Sequence, residues 1–550
     1  MVDRGDGSGV AAADIMVREF RQMLIWPIEL LPSCDGSGVD HCQRLLADGH
    51  WREVSAAQAM RHGPTRQRIY TEFSAFMPDA QRFLYGEGDN RLGGGLQPSP
   101  LRIFRRDDVA AARIQNDAQA PVLPFDVSHV GLFFFYDIDL AILVVEVAGR
   151  DITLHQAQDM LFRFGRAYPT GWDSRGGGAH CCERVELLDS GGALLAASDY
   201  DDKDRYLDFF RDHRAPCIAS HWAFLLQPLA LSRGSREEVA PYRLLEHQRI
   251  PLLAWLAVDD PHAIGREDWM RLGHAAPPGP PGIPPFARGF LDNFESQLCY
   301  DRYWDPEGGH DQTATRILCS GEVFIMVGEA GDPHFTDGEA GVLALFRHQY
   351  MLLGLIAHFH RSALLIFRDR LFSAISDLRD YSGETVRLFK RSIRLTHENF
   401  LRFTHRYWFQ EVSSRAPSRD LFAMWVGHLG TDRLFAEVRE EVQDMIAYLD
   451  SDGLRRQANT VVRLTIVTFF GLIGTTATGV LGMNIFDWTH LTPLMKLLAF
   501  TAVLLPISVL TFYTAAKSQR LAALMDAVSD ERQTTRHKVQ AFTRVWMRQR

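Results

Sequence analysis

Val461, Thr465, Thr468, Leu472, Thr475, Gly479 and Gly482 follow one another in steps of four and three. On a helix that spacing keeps them on one face. Asn484 extends the same end, where Gly482-Met483-Asn484 closes a stretch without charge from Leu464 to Phe486. The chemistry on offer is neutral oxygen, from hydroxyls and one amide. Three threonines on an apolar helix are costly against lipid and cheaper against water or a neighbouring helix. Two readings follow: close helix packing through small and hydroxylated residues, or the lining of a shared aqueous path.

A second uncharged stretch runs from Leu497 to Ala516, so the two stretches flank a short loop, 487–496. Each is long enough to cross a bilayer core, which takes about 20 helical residues. Two helices cannot enclose a pore, so any conduction requires several copies. Arg455, Arg456 and Arg463 precede the first stretch, and the tail from Lys517 holds eight Lys/Arg against three Asp/Glu. The connecting loop carries only Asp487 and Lys496. By the positive-inside rule both termini face the cytoplasm and the loop faces out, in a multi-pass protein of the inner cell membrane.

The rest of the 550 residues is mostly non-membrane in character, with a mean hydropathy of −0.13. The net charge of −9 argues against nucleic acid and is compatible with handling cations. Seven scattered cysteines form no C-x-x-C pair and point to a reducing compartment. The N-terminus shows no apolar leader, and Asp3 and Asp6 disfavour a transit peptide.

Six segments are expected along the chain: 1–338 a cytosolic α/β domain, 339–460 a helical stalk, 461–486 the first span, 487–496 the outer loop, 497–516 the second span and 517–550 a basic cytoplasmic tail. Residues 1–60 carry no clear pattern. Residues 130–149 read as two buried strands around a tight turn at Asp137 and Asp139. A helix follows with Thr153 as its cap; 249–258 and 316–328 read as further strands; Pro277 to Pro285 is a stiff loop. Beyond Glu339 the pattern turns helical: one long helix from Ala344, a second from Thr385 to Val412, and a third from Thr431 into the first span. The third carries an apolar seam at Leu434, Val438, Val442, Ile446 and Leu449. At 1.5 Å per residue it would be about 75 Å long, and it predicts a stalk packed within and between subunits.

The two-span layout with Gly482-Met483-Asn484 resembles the CorA-type magnesium transporter family. That family's pore-facing threonine and glycine fall on Thr475 and Gly479, and its apolar constriction positions on Val461, Leu464 and Leu472. The resemblance implies a homopentameric funnel in which Asn484 forms the outer selectivity ring, with Gly482 and Met483 in the filter. Thr468 joins the expected lining. The motif match covers 464–484 and the architectural match 340–516. No motif extends it to the N-terminal third.

The physical logic suits a hydrated Mg²⁺, which loses water reluctantly. A ring of amide oxygens can hold the ion through its water, whereas carboxylates would release it more slowly. Apolar rings at Leu472 and Leu464 can gate by dewetting. Two charges moving inward across 100 mV yield about 4.6 kcal/mol, so no pump is needed. No Gly-Lys dipeptide and hence no Walker A loop is present, and no nucleophile elbow or zincin motif supports an enzyme. No cofactor is called for, only the transported Mg²⁺ or, in its place, Zn²⁺, Co²⁺ or Ni²⁺. Departures from the family are Leu481 where an aromatic is usual, Ile473 where a proline is, and His490 where a loop glutamate is. Asp487 is the only acid of the loop. Two rivals are a ZntB-like Zn²⁺ transporter, with or without proton coupling, and a non-conducting, membrane-tethered binding or regulatory protein.

Other clusters read as structural. The stalk acids Glu437, Glu440, Glu441, Asp444, Asp450 and Asp452 form a solvated face. Asp199, Asp201, Asp202 and Asp204 lack the glycine and glutamate of an EF-hand. His180-Cys181-Cys182 lacks zinc spacing. His358 and His360 lie on different faces of a helix and carry no assigned role.

Overall fold

The computed structural model describes residues 15–32, 41–54, 63–86, 99–135, 137–232, 240–245, 248–307, 314–376, 383–483 and 492–516. The chain divides into two compact units, Met1–Gln443 and Asp444–Arg550.

The first unit is α/β. Six strands form the middle of its 14-stranded sheet: β1 (Met16–Leu30), β2 (Leu123–Phe135), β3 (Leu140–Thr153), β4 (Leu252–Val258), β5 (Arg316–Cys319) and β6 (Val323–Glu329). Their order is β5-β6-β4-β1-β3-β2. Among these only β4 and β6 pair in parallel. The apolar run read between 130 and 149 is the β2–β3 hairpin. Asp139 takes a left-handed φ of 59° in its turn, a conformation that aspartate tolerates better than β-branched residues do. Phe133 to Phe135 and Ala141 to Val145 are buried without alternation, which is the mark of a strand covered on both faces.

Thr153 ends β3 and caps α1 (Leu154–Arg163) as expected. Its hydroxyl accepts from Gln156 N at 3.2 Å, and Gln156 Oε1 accepts from Thr153 N at 2.9 Å. This reciprocal box satisfies two helix-end donors and contributes about 1 kcal/mol.

α2 (Val342–Ser376) packs across β1 and β3. A π-helical stretch, Phe346–Tyr350, interrupts it near its start. Among the described residues it is the one helix long and apolar enough to cross a membrane, yet 83% of its apolar window is buried inside the protein. Pro493–Val509 is a shorter apolar stretch. A helix apolar nearly all round finds its place in a core.

α3 (Gly383–Arg406) and α4 (Ala416–Leu429) pack on α2. The helices α2 to α4 therefore belong to the same compact unit as the sheet, whose limit is Gln443. The division read at residue 338 marks where strands stop along the chain, and the packed body continues past it. The helix expected to reach Val412 ends at Arg406, and the chain then turns through Tyr407 and Trp408 toward Ala416, where α4 starts with Pro417 in its first turn.

Gly430, with a φ of 64°, turns α4 into α5 (Thr431–Gly482), a single helix of 52 residues. Its seam is as expected: Leu434, Val438, Val442 and Leu449 are buried and Ile446 is half-buried. Phe435 stacks on Trp408 at 4.3 Å and anchors the helix start in an aromatic cluster. α6 (Pro493–Ala516) begins four residues before the expected span at Leu497 and contains Pro506. Proline is pre-organised for a first helical turn, which accounts for the earlier start.

Candidate functional site

The stripe read from the sequence lies on the part of α5 that belongs to the second unit. Val461, Leu464 and Leu472 are 57%, 64% and 59% exposed. Thr465, Thr468, Thr475 and Gly479 are exposed beside them. Ile473 and Ala477, by contrast, are buried. At about 100° per residue they sit a third of a turn or more from the stripe. The described chain thus leaves the stripe uncovered.

The threonine hydroxyls are oriented by the helix itself. Thr465 Oγ1 donates to Val461 O at 2.8 Å. Thr468 Oγ1 lies 3.0 Å from Leu464 O and 2.8 Å from Thr465 O. Thr475 Oγ1 lies 3.0 Å from Gly471 O and 3.1 Å from Leu472 O. Each hydroxyl has one hydrogen, and the helix carbonyls take it. What remains outward is lone pairs, so the stripe offers acceptors to whatever faces it. Thr478, one step off the repeat and not singled out by the sequence reading, does the same with Gly474 O at 2.8 Å.

The glycines are also unoccupied as packing surface. A Cβ built on Gly471, Gly474, Gly479 or Gly482 would meet nothing within 4 Å. Among the described residues they therefore serve no close helix contact. Gly482 ends α5, and Met483 follows as an exposed turn residue. Asn484, Asp487 and His490 lie outside the described residues, as does the basic tail.

The remaining candidates have structural partners. Asp199 accepts from Tyr206 Oη at 3.1 Å and Ser220 N at 2.8 Å and pairs with Arg205, while Asp202 caps a helix through Arg205 N at 3.2 Å. Cys181 and Cys182 are buried, and burial raises both thiols, that of Cys181 to about 12. His358 and His360 are buried too. Among the described residues no group of three or more His, Cys, Asp or Glu stands ready to hold a metal ion. Glu437, Glu440, Glu441, Asp444 and Asp450 are exposed, as a solvated helix face requires. Comparison with family models, with curated proteins and with solved structures finds no match.

Proposed function

We propose that the chain is a CorA-like divalent cation channel, assembled as a homopentamer in the inner cell membrane with both termini in the cytoplasm. Asn484 and Gly482 select a hydrated ion, Mg²⁺ first, at the outer mouth. Thr475, Gly479, Thr468, Leu472, Leu464 and Val461 line or gate the path below. The observation that carries this reading is the uncovered stripe of α5 whose threonines turn their hydrogens inward and their lone pairs outward. Acceptor-only neutral oxygens suit a cation's bound water and do not hold it as tightly as carboxylates would. Apolar rings at Leu472 and Leu464 supply a dewetting gate. Copies of the chain around an axis would cover this face.

The test is cation flux into liposomes holding the full chain, with an inside-negative potential and a Mg²⁺-sensitive dye. Mg²⁺ uptake that collapses in Asn484→Ala supports the reading. Zn²⁺ uptake without Mg²⁺ uptake would replace the ion. Equal flux in Asn484→Ala and the parent, or no flux at all, sinks it.

A further inference from the structure

A cleft of about 340 Å³ opens in the first unit, between the turn joining β5 to β6, the end of the helix Arg266–His274 and the segment bearing Phe290 and Phe294. Its floor is basic. Arg249 donates from Nη1 to His274 O at 3.2 Å and from Nη2 to Ala275 O at 3.1 Å. These carbonyls close a helix, where aligned peptide dipoles place negative partial charge. They are partial charges only, and Arg249 forms no ion pair among the described residues. Its remaining N–H groups are left for another acceptor. Desolvation and the nearby cation Arg166 lower its pKa to about 10 against the opposing pull of Glu322, so it keeps its charge at neutral pH. The Arg166 guanidinium donates to Phe162 O and Gln248 Oε1, both at 3.1 Å, and Glu322 acts on it through space.

The wall is aromatic. The His274 ring lies 5.2 Å from Phe286, 5.8 Å from Phe290 and 6.1 Å from Phe294. Phe290 is 66% exposed, which is costly for a ring with no covering. Two arginines face one carboxylate, Glu322, which acts on both through space. The floor therefore keeps a net positive charge beside an exposed aromatic wall, and a molecule with both complements fits it. Glu322 stands exposed among the lining residues and opposes an anion there.

We propose that this cleft binds a small organic anion, with its carboxylate or phosphate on Arg249 and its flat ring against His274 and Phe290. An aromatic acid and a nucleoside monophosphate share that chemistry, and the cleft lies at the small end of ligand-site volumes. The site is independent of ion conduction, so its failure would leave the transport reading standing.

The experiment is calorimetric titration of the full chain in detergent with AMP, benzoate and inorganic phosphate. Saturable binding of AMP or benzoate, about tenfold tighter than phosphate, is expected, and the tighter of the two identifies the source. Phe290→Ala removes an exposed ring and should keep the parent's melting curve. It should weaken the ring-bearing ligand about fivefold and leave phosphate unchanged. Glu322→Gln should tighten binding by removing a like charge. Arg249→Gln should lose about tenfold or more. No binding of AMP or benzoate up to about 10 mM overturns the proposal. So does binding that neither Phe290→Ala nor Glu322→Gln alters, which keeps the test decisive even if Arg249→Gln fails to fold.

Discussion

Arg347 and Glu146 are joined by a two-pronged ion pair, Nε to Oε1 at 3.0 Å and Nη2 to Oε2 at 3.1 Å. Arg21 adds a third bond to Oε1 at 3.0 Å. Glu146 lies in β3, Arg21 in β1 and Arg347 in the π stretch of α2. One carboxylate, its side chain 2% exposed, thus ties the core helix to two strands. Directional bonds of this kind fix a register that apolar contact alone leaves loose.

Glu146→Gln should destabilise the first unit by about 2–4 kcal/mol. The figure sits slightly below that for wholly buried pairs, because Arg21 and Arg347 keep part of their surface in water. Arg347→Met should cost less, since Arg21 still neutralises the carboxylate. Urea unfolding followed by tryptophan fluorescence measures both. A Glu146→Gln loss below about 1 kcal/mol would show the pair to be incidental.

His358 and His360 predict acid sensitivity. Among the described residues neither ring nitrogen of His358 makes a well-formed hydrogen bond, and burial lowers its pKa to about 3 against a weaker opposing pull from the Gly321 backbone. His360 meets Tyr407 O at 2.6 Å and is lowered to about 4. Unfolded histidine titrates near about 6.5. Below that pH the unfolded chain takes up protons that the folded one refuses. The stability these groups contribute is therefore complete above about pH 6.5 and falls as pH drops toward the folded values. Each contributes a slope of about 1.4 kcal/mol per pH unit in that window. His358→Leu should flatten the dependence by one such slope between about pH 6 and about pH 4.5. Urea melts across that range check it, and an unaltered slope rejects it.

The β2–β3 hairpin, the Thr153 cap and the unbroken start of α5 were legible because each rests on neighbours in sequence: apolar runs around a turn, a capping pair three apart, a four-three seam. The role of α2 was not. Its apolar length reads as part of a stalk, and only its contact with β1 and β3 makes it a core helix. The start of β1 has charges at Arg18, Glu19 and Arg21, and Pro27 breaks its run, so the residues that pair with β3 and β4 look irregular in isolation. Glu146 hides in a strand of aliphatics, and its partners Arg21 and Arg347 are distant in sequence. On the candidate face the spacing was legible. The inward turn of the threonine hydroxyls was not, because it depends on backbone carbonyls that every helix has.

Gly354 marks a tight place in the core. A Cβ there would stand 2.6 Å from Trp425 Cη2 and 2.8 Å from Cζ2. Trp425 cannot retreat freely, since it stacks on Phe324 at 4.8 Å and donates Nε1 to Gly321 O at 2.7 Å. Gly354→Ala should cost about 1–3 kcal/mol despite alanine's better helix propensity. Adding Trp425→Phe should recover part of that loss, giving a coupling of about 1 kcal/mol or more in a double-mutant cycle. Purely additive losses would place the strain elsewhere.

Gly479 and Gly474 separate a lining face from a packing face. Among the described residues neither has a neighbour within 4 Å of a built Cβ, so a leucine at either meets none of them and should gain about 1 kcal/mol of helix propensity. Gly479 lies on the Thr475–Gly482 stripe. Gly474 points about 140° away from Gly479 at about 100° per residue. If the stripe surrounds a shared path, Gly479→Leu should melt like the parent yet cut Mg²⁺ flux at least about tenfold, because several copies crowd one level of the axis. Gly474→Leu should retain flux. Leu472→Ser should leak, since wetting removes the dewetting barrier. Flux assays on the three purified variants distinguish the cases. Loss of flux in Gly474→Leu with retention in Gly479→Leu would turn the stripe outward, toward lipid or a packing partner, and would end the argument for conduction along it.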